Sequence, residues 1–118
     1  MYKFYEYPKC STCKKAKAWL KAEGVEFEAI DLVSQTPSAE ELEAWMESTD
    51  LPLRRFFNTS GMKYRELNLK DQVKDLTIEE ASRILTSDGM LVKRPMIVKD
   101  GKFIINGFNE DAYKGVFG

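Results

Sequence analysis

Both cysteines of the chain, Cys10 and Cys13, lie in one short segment, YPKCSTC at positions 7–13. Cysteine reacts as the thiolate, and two cysteines separated by two residues can close a disulfide across the start of a helix. Lys9 and the two lysines that follow Cys13 supply positive charge, which favours the thiolate over the thiol. The residue types and their spacing therefore predict a redox-active dithiol.

Two other interpretations of the cysteine pair remain open at this point. A zinc site needs about four nitrogen or sulfur ligands, and the chain has no histidine and no third cysteine, so a closed zinc site would require a dimer. The two thiols could also be inert neighbours, because free cysteines are often simply buried. The lack of histidine excludes a Cys–His hydrolase. We expect neither a metal ion nor an organic prosthetic group.

The elements around the pair are a strand before it and a helix after it. Residues 2–6 alternate as a strand does, and an amphipathic helical pattern follows Cys13 and ends near Gly24. Cys10 is then expected in the loop and Cys13 in the first helical turn. A helix N-terminus presents unpaired N–H groups and the positive end of the helix dipole, both of which lower the pKa of a thiol. We therefore predict that Cys10 is the reactive cysteine.

Composition indicates an ordinary small globular domain. The 118 residues are 43% hydrophobic, which suffices for one core, so a single domain over residues 1–118 is predicted. With 18 basic and 19 acidic residues the net charge is −1, which gives no reason to expect direct nucleic-acid binding or a membrane surface. No signal peptide or apolar span is recognisable. We expect a monomeric cytoplasmic protein whose cysteines rest reduced and cycle.

The middle of the chain carries helical signals. Residues 25–32 alternate as a second strand, parallel to the first. Ser38 with Glu41, and Thr77 with Glu80, match the capping box that opens a helix. A short helical turn that leads into a loop over residues 53–61, and a short helix at 64–69, are predicted between these two helices.

The last third returns to strands. Residues 96–98 and 103–105 are predicted to pair as a hairpin around Asp100 and Gly101, and Asn109 to cap a closing helix. The element order predicts an α/β fold of mixed α+β type. It has about four strands in a mixed sheet flanked by helices, with a helical insertion at about residues 36–90 between the second and third strands.

Arg94 and Pro95 stand at the entrance to the third strand. Proline lacks an N–H and tolerates the first position of a strand, so the simplest interpretation is a strand-starting proline beside an exposed arginine. The functional interpretation is a cis proline that faces the dithiol loop, with Arg94 supplying positive charge to it.

Four segments together resemble a known family. They are CSTCKKAKAWL at 10–20, YRELNL at 64–69, KRPMIV at 93–98 and GFNED at 107–111, and their order and span resemble the arsenate-reductase-like (ArsC/Spx) family over almost the whole chain. The resemblance implies a thioredoxin-like fold with a helical insertion between the second and third strands. It also implies that Cys10 is the reactive cysteine and that Arg94 and Pro95 are the arginine and cis proline beside it.

The resemblance alone does not fix a function, because the family contains enzymes and regulators. Its glutaredoxin-coupled arsenate reductases use one cysteine and three oxyanion-binding arginines. Only Arg94 matches these arginines, while Asn58 stands near the place of the second and Gly107 at the place of the third. The candidates to replace them as anion ligands are Arg54, Arg55 and Arg65.

The Spx branch of the family is the better match at the cysteine pair. Its members sense disulfide stress through a C-x-x-C pair and bind RNA polymerase, for which the alpha subunit is the expected partner. Cys10 and Cys13 match that pair, although the segment at 52–61 does not clearly resemble the polymerase-binding region.

From these observations we expect a thiol–disulfide oxidoreductase. Cys10 is the predicted nucleophile, Cys13 resolves the mixed disulfide, and Arg94 stabilises the thiolate. Lys9, Thr12 and Pro95 are predicted to position the substrate. An external thiol, namely glutathione, glutaredoxin or thioredoxin, would restore the pair. The alternatives are an Spx-like regulator that binds RNA polymerase and a glutaredoxin-coupled arsenate reductase.

Overall fold

The computed structural model describes residues 1–118 and contains one mixed four-stranded sheet with the strand order β2-β1-β3-β4. The strands are β1 (Tyr2–Glu6), β2 (Phe27–Asp31), β3 (Met96–Lys99) and β4 (Lys102–Asn106). The helices are α1 (Ser11–Ala22), α2 (Ala39–Glu47), α3 (Met62–Glu66), α4 (Ile78–Ser87) and α5 (Glu110–Phe117). Single 3₁₀ turns lie at Leu53–Phe56, Leu69–Asp71, Val73–Asp75 and Gly89–Leu91. The prediction of a mixed sheet with a helical insertion between the second and third strands is confirmed.

The β1-α1-β2 unit holds the cysteine segment at one end of the sheet. β1 and β2 pair in parallel, from Tyr2 opposite Phe27 to Glu6 opposite Asp31, while β3 runs antiparallel to β1. The segment between Glu6 and Ser11 therefore leaves the carboxyl end of β1 and enters α1 directly. The first helix ends where predicted, with Gly24 at a φ of 73° just beyond it.

The sheet separates two cores, because successive residues of a strand face opposite sides. On one side 16 buried residues, including Tyr5 and Met96, pack under α2 and α4. On the other side five buried residues pack under α1 and α5: Phe4, Ala16, Leu20, Ile97 and Tyr113. Both faces of β1 and β3 are thus covered, which fixes the two strand ends that carry Cys10 and Pro95.

Local signals place the helix ends and the hairpin as predicted. Ser38 and Thr77 each accept a hydrogen bond from the N–H of the glutamate three residues on, and the side chain of that glutamate accepts one from the N–H of the cap residue. Asp100 and Gly101 have φ angles of 52° and 77°, as a two-residue hairpin turn of type I′ requires. Asn109 caps α5 by accepting from the N–H of Ala112 at 3.0 Å.

Two local predictions need correction. The predicted helix at 64–69 begins earlier and ends earlier, as Met62–Glu66, because Asn68 adopts a left-handed φ of 52° that ends helical hydrogen bonding. The sequence pattern predicts an apolar face of α5 made of Ala112, Tyr113, Val116 and Phe117, and this face is narrower in the structure. Tyr113 is buried and Phe117 packs on Tyr2 and Trp19, but Ala112 is exposed and Val116 is 44% exposed.

No helix of the chain has the length and apolar character needed to cross a lipid bilayer.

Candidate functional site

Cys10 is the N-cap residue of α1. Its extended backbone (φ −81°, ψ 121°) turns the chain into the helix, and its Sγ accepts a hydrogen bond from the N–H of Cys13 at 3.4 Å. Its own N–H donates to the carbonyl of Tyr7 at 2.9 Å, which closes the loop below it. A half-buried sulfur thus occupies the place where serine or aspartate usually caps a helix.

The environment of Cys10 favours the thiolate. Burial alone raises the pKa of the Cys10 thiol, but hydrogen bonds from the backbone and thiol of Cys13, the backbone of Thr12 and the Arg94 guanidinium lower it by more. The net pKa of Cys10 therefore lies below its ordinary value. The predicted effect of the helix start and of Arg94 on this residue has a direct structural basis.

Cys13 has the opposite environment. It is fully buried, and burial raises the pKa of the Cys13 thiol to about 12, with further upward effects from its hydrogen bond to Cys10 and from the charges of Cys10 and Glu6. A hydrogen bond with the backbone of Tyr7 opposes this effect only in part. Both cysteines are free thiols here. The pair is therefore asymmetric, with one half-buried thiol of lowered pKa and one buried thiol of raised pKa.

Arg94 joins the cysteine loop to the helical insertion. The Arg94–Pro95 peptide bond is cis, as the resemblance implied. The Arg94 guanidinium donates from Nη1 to the carbonyl of Met90 at 3.0 Å and lies 5.3 Å from the ring centroid of Tyr7. When the Asn58 amide oxygen faces Arg94, it accepts from Nη1 at 3.1 Å and from Nη2 at 3.2 Å. Most donors of Arg94 are thus already engaged.

The residues predicted to position a substrate surround this loop. Lys9 and Thr12 are exposed beside Cys10, and Thr12 contributes a backbone hydrogen bond to the sulfur. Pro95 is buried, and its carbonyl accepts from the N–H of Gly107 at 2.9 Å. The structure therefore gathers Lys9, Cys10, Thr12 and the Arg94–Pro95 segment at one end of the sheet.

The three arginines considered as anion ligands are not gathered with Arg94. Arg94 lines a cavity of about 500 Å³ that also contains Asn58 and two acidic residues, and none of the three arginines lines it. Arg54 and Arg55 line two other cavities. Arg65 donates to the carbonyl of Ser60 at 3.1 Å on the surface. An anion-binding role for these residues stays a prediction.

A buried ion pair near Cys13 was not anticipated from the sequence. Glu6 is only 8% exposed, and its Oε2 lies 2.8 Å from Nζ of Lys17. Lys17 follows Cys13 by one helical turn, so the carboxylate sits under the same helix face as the buried thiol. The available signal was a glutamate that directly follows the two aromatic residues Phe4 and Tyr5 in a strand, since such a residue needs a partner when buried.

No group of three or more histidine, cysteine, aspartate or glutamate side chains is arranged to hold a metal ion.

Comparison with known proteins decides the family. The ArsC family model matches residues 5–116. The chain belongs to the ArsC family. A solved structure of a possible arsenate reductase from Streptococcus mutans UA159 superimposes with a TM-score of 0.91 at 48% identity, and the match covers 98% of this chain and 96% of that one. The thioredoxin-like fold that the resemblance implied is therefore confirmed.

Relatives with curated names point to different roles within the ArsC family. An uncharacterized Bacillus subtilis protein, YusI, is 51% identical over 94% of this chain and 93% of its own length. The global transcriptional regulator Spx of Lactiplantibacillus plantarum is 30% identical over 93% of this chain and 81% of its own length. The ArsC family assignment thus leaves the activity of this chain to be argued from its own residues.

Proposed function

We propose that this ArsC-family protein is a thiol–disulfide oxidoreductase whose Cys10–Cys13 pair reduces a disulfide. The observation that carries the proposal is the asymmetry of the pair. Cys10 caps a helix with a pKa below its ordinary value, while Cys13 is fully buried with a pKa raised to about 12. A nucleophile that is ionised and a second thiol that is protected until needed are the two parts that such a reaction requires.

The first step is attack by the Cys10 thiolate on one sulfur of the substrate disulfide. A bond forms between Sγ of Cys10 and that sulfur, the substrate disulfide breaks, and the other substrate sulfur leaves as a thiolate that takes a proton from water. In the second step Cys13 loses its proton and attacks Sγ of Cys10. The Cys10–Cys13 disulfide forms and the remaining substrate thiol leaves. Two electrons have passed from the pair to the substrate.

The structure offers a reason why Cys13 becomes reactive only after the first step. Its pKa is raised by burial first, and further by its hydrogen bond to Cys10 and by the negative charge of the Cys10 thiolate. Once Cys10 is part of a mixed disulfide, that charge no longer exists. The pKa of Cys13 then falls, and the resolving thiolate forms next to the sulfur that it attacks.

The remaining roles in the proposal follow from position. Arg94 holds the Cys10 thiolate, and Lys9, Thr12 and Pro95 shape the surface on which the substrate lies. An external thiol, namely glutathione, glutaredoxin or thioredoxin, returns two electrons to the oxidised pair. The proposal places the protein in the cytoplasm, where these thiols are present, and as a monomer.

Alkylation rates measured against pH test the asymmetry. In the Cys13→Ser variant we expect the rate of iodoacetamide reaction at Cys10 to be half-maximal at a pH below about 8.5, the pKa of a free cysteine, because the lower pKa leaves Cys10 ionised at lower pH. In the Cys10→Ser variant we expect Cys13 to react slowly throughout. Unfolding the same variants in denaturant provides the control, since both thiols should then titrate alike. Equal rates in the folded variants, or faster reaction at Cys13, would contradict the assignment of the nucleophile.

A redox titration tests whether the pair cycles. We expect a midpoint potential above about −300 mV, within reach of glutathione or thioredoxin. The stabilised thiolate of Cys10 exists only in the reduced pair, so it favours the reduced form and raises the potential. Buffers of defined glutathione or dithiothreitol ratio, with alkylation and mass measurement, give the value. A potential far below about −300 mV would mark a structural disulfide instead.

An Spx-like regulator is the second candidate, and the identity to the transcriptional regulator Spx supports it. In that case the same switch at Cys10 and Cys13 would alter the surface presented to RNA polymerase, through its alpha subunit. Turnover of a small disulfide by the reduced protein supports the enzyme. Redox-dependent binding to the purified alpha subunit without turnover supports the regulator.

A further inference from the structure

A groove of about 450 Å³ lies beside the edge strand β4, apart from the cavity that contains Arg94. One wall is continuous chain, since all residues from 103 to 109 line it, and the opposite wall comes from the segment after α2. The lining is completed by Thr49, Leu51, Arg55, Lys93 and Ala112. We call this feature the β4 groove.

Two hydrogen bonds tie the walls of the β4 groove together. The N–H of Phe103 donates to Oγ of Ser48 at 3.1 Å, and Nδ2 of Asn106 donates to the carbonyl of Arg55 at 2.7 Å. Asn106 is a buried residue, so the second bond is shielded from water. The groove therefore has its shape before any ligand binds.

The charge of the β4 groove is positive. Arg55 and Lys93 line it, and no aspartate or glutamate does. The ion pairs of the chain involve other cations, namely Lys17, Arg83 and Lys114, so both groove cations lack a carboxylate partner. In a chain with more acidic than basic residues, this concentration of unpaired positive charge favours an acidic ligand.

The rest of the lining suits a polypeptide better than a small anion. Six of the twelve lining residues are hydrophobic, and they include Phe103, Ile105 and Phe108. β4 is an edge strand, with β3 on one side only, so its outer edge has backbone groups without a strand partner. An extended segment can offer apolar side chains, carboxylates and backbone hydrogen bonds together.

The β4 groove adjoins the cysteine site through residues 93–95. Lys93 lines the groove, whereas the next residue, Arg94, is one of the groups that lower the pKa of the Cys10 thiol. Gly107, also in the lining, donates to the Pro95 carbonyl at 2.9 Å. Gly107 has a φ of 69°, a conformation that favours glycine, and it lies next to the side chain of Lys93.

We propose that the β4 groove binds an acidic, partly apolar polypeptide segment in extended conformation, with its carboxylates on Arg55 and Lys93. The inference rests on the proposed function, since the segment would flank the disulfide that Cys10 attacks. It deepens that function by assigning the substrate to proteins whose disulfides stand beside acidic sequence.

Binding without thiol chemistry gives the first test. The probe is a fluorescein-labelled peptide of alternating glutamate and valine, compared with one in which glutamine replaces glutamate. We expect the acidic peptide to bind the full chain about tenfold more tightly at low salt and to lose this advantage at high salt. Arg55→Gln and Lys93→Gln should each weaken it about two- to fivefold and leave the glutamine peptide unaffected. Lys102→Gln on the same strand is the matched control, and it should not change the affinity.

The second test couples binding to reaction. Each peptide carries a central cysteine activated as its 2-pyridyl disulfide, and attack by Cys10 releases pyridine-2-thione, which is read by absorbance. We expect the second-order rate constant to favour the acidic peptide by the same factor as binding does. That preference should shrink in Arg55→Gln and Lys93→Gln but not in Lys102→Gln.

The outcomes separate the inference from the proposed function. If neither peptide releases the thione, the oxidoreductase proposal fails, and the binding experiment still decides the groove. Equal binding of the two peptides, or a preference that survives in Arg55→Gln and Lys93→Gln together, would overturn the inference. Inorganic phosphate that displaces the acidic peptide at the peptide's own concentration would overturn the assignment to a polypeptide.

Discussion

Cys10→Ser is expected to abolish reduction of a small disulfide, a loss of at least about a thousandfold, because a serine hydroxyl is not ionised near neutral pH as a thiolate is. Cys13→Ser is expected to retain the first step and to stop at the mixed disulfide. Its Cys10 keeps the hydrogen bond from the N–H of residue 13 and the neighbouring Arg94 guanidinium, both of which lower its pKa. Release of the leaving thiol during the first turnover, followed by mass measurement of the trapped adduct, distinguishes the two variants.

The trapped adduct also identifies the substrate. The Cys13→Ser variant is immobilised and exposed to the proteins of the source cell. We expect it to retain its partners as mixed disulfides with Cys10, from which a reductant releases them. Cys10→Ser treated in the same way is the matched control, because its remaining thiol is buried. Undiminished steady-state turnover by Cys13→Ser would show that an external thiol, and not Cys13, resolves the intermediate.

Arsenate reduction with glutaredoxin is expected to be weak or absent despite the ArsC family membership. An oxyanion is held mainly by charge-assisted hydrogen bonds, which planar guanidinium groups supply in pairs. Losing one charged contact costs on the order of 1.5–3 kcal/mol, so losing two lowers transition-state binding by roughly 10²–10⁴ if the losses add. Steady-state turnover with arsenate, glutathione and glutaredoxin is the measurement.

The site geometry strengthens this expectation. Asn58, near the place of the second arginine, is itself an acceptor for the Arg94 guanidinium, and the carbonyl of Met90 takes another of its donors. Gly107, at the place of the third, offers no side chain. The cavity that Arg94 lines also contains Lys63, Glu66 and Asp88, so the two acidic side chains offset its two cations and leave no excess positive charge for an anion.

One result would reverse the conclusion on arsenate. Robust turnover that disappears in both Cys10→Ser and Arg94→Ala would show that the missing arginines matter less than argued here. Arg54→Gln, Arg55→Gln and Arg65→Gln would then locate the compensating cation. Arg83→Gln serves as the matched control, because Arg83 is exposed and paired with Glu79 on α4.

Local sequence determined much of the framework. A capping box needs only two residues three positions apart, so Ser38 and Thr77 predict the starts of α2 and α4 from local sequence alone. The Asp100–Gly101 turn is equally local, since both residues tolerate positive φ. The end of α3 depends on the left-handed backbone conformation of a single residue, Asn68. The sequence pattern does not show that conformation, so the predicted helix extended too far.

The places of the two cysteines could also be predicted from the sequence, for the same reason. A strand, a tight loop and a helix within about twenty residues place Cys10 at the helix start and Cys13 one turn inside it. The distinction between an accessible thiolate and a protected thiol follows from that placement. The resemblance to the ArsC family added Arg94 and Pro95, which lie more than eighty residues away in the chain.

What the sequence by itself determined is therefore the order of elements, the family and the placement of the Cys10–Cys13 dithiol at the start of α1. Only the tertiary structure decided which groups surround that dithiol: Asn58 against Arg94, Glu6 with Lys17 beneath Cys13, and Arg55 with Lys93 in the β4 groove. The physical reason is range. Caps and turns are made by neighbours in sequence, whereas these contacts join distant segments and exist only after the sheet and the helical insertion have packed.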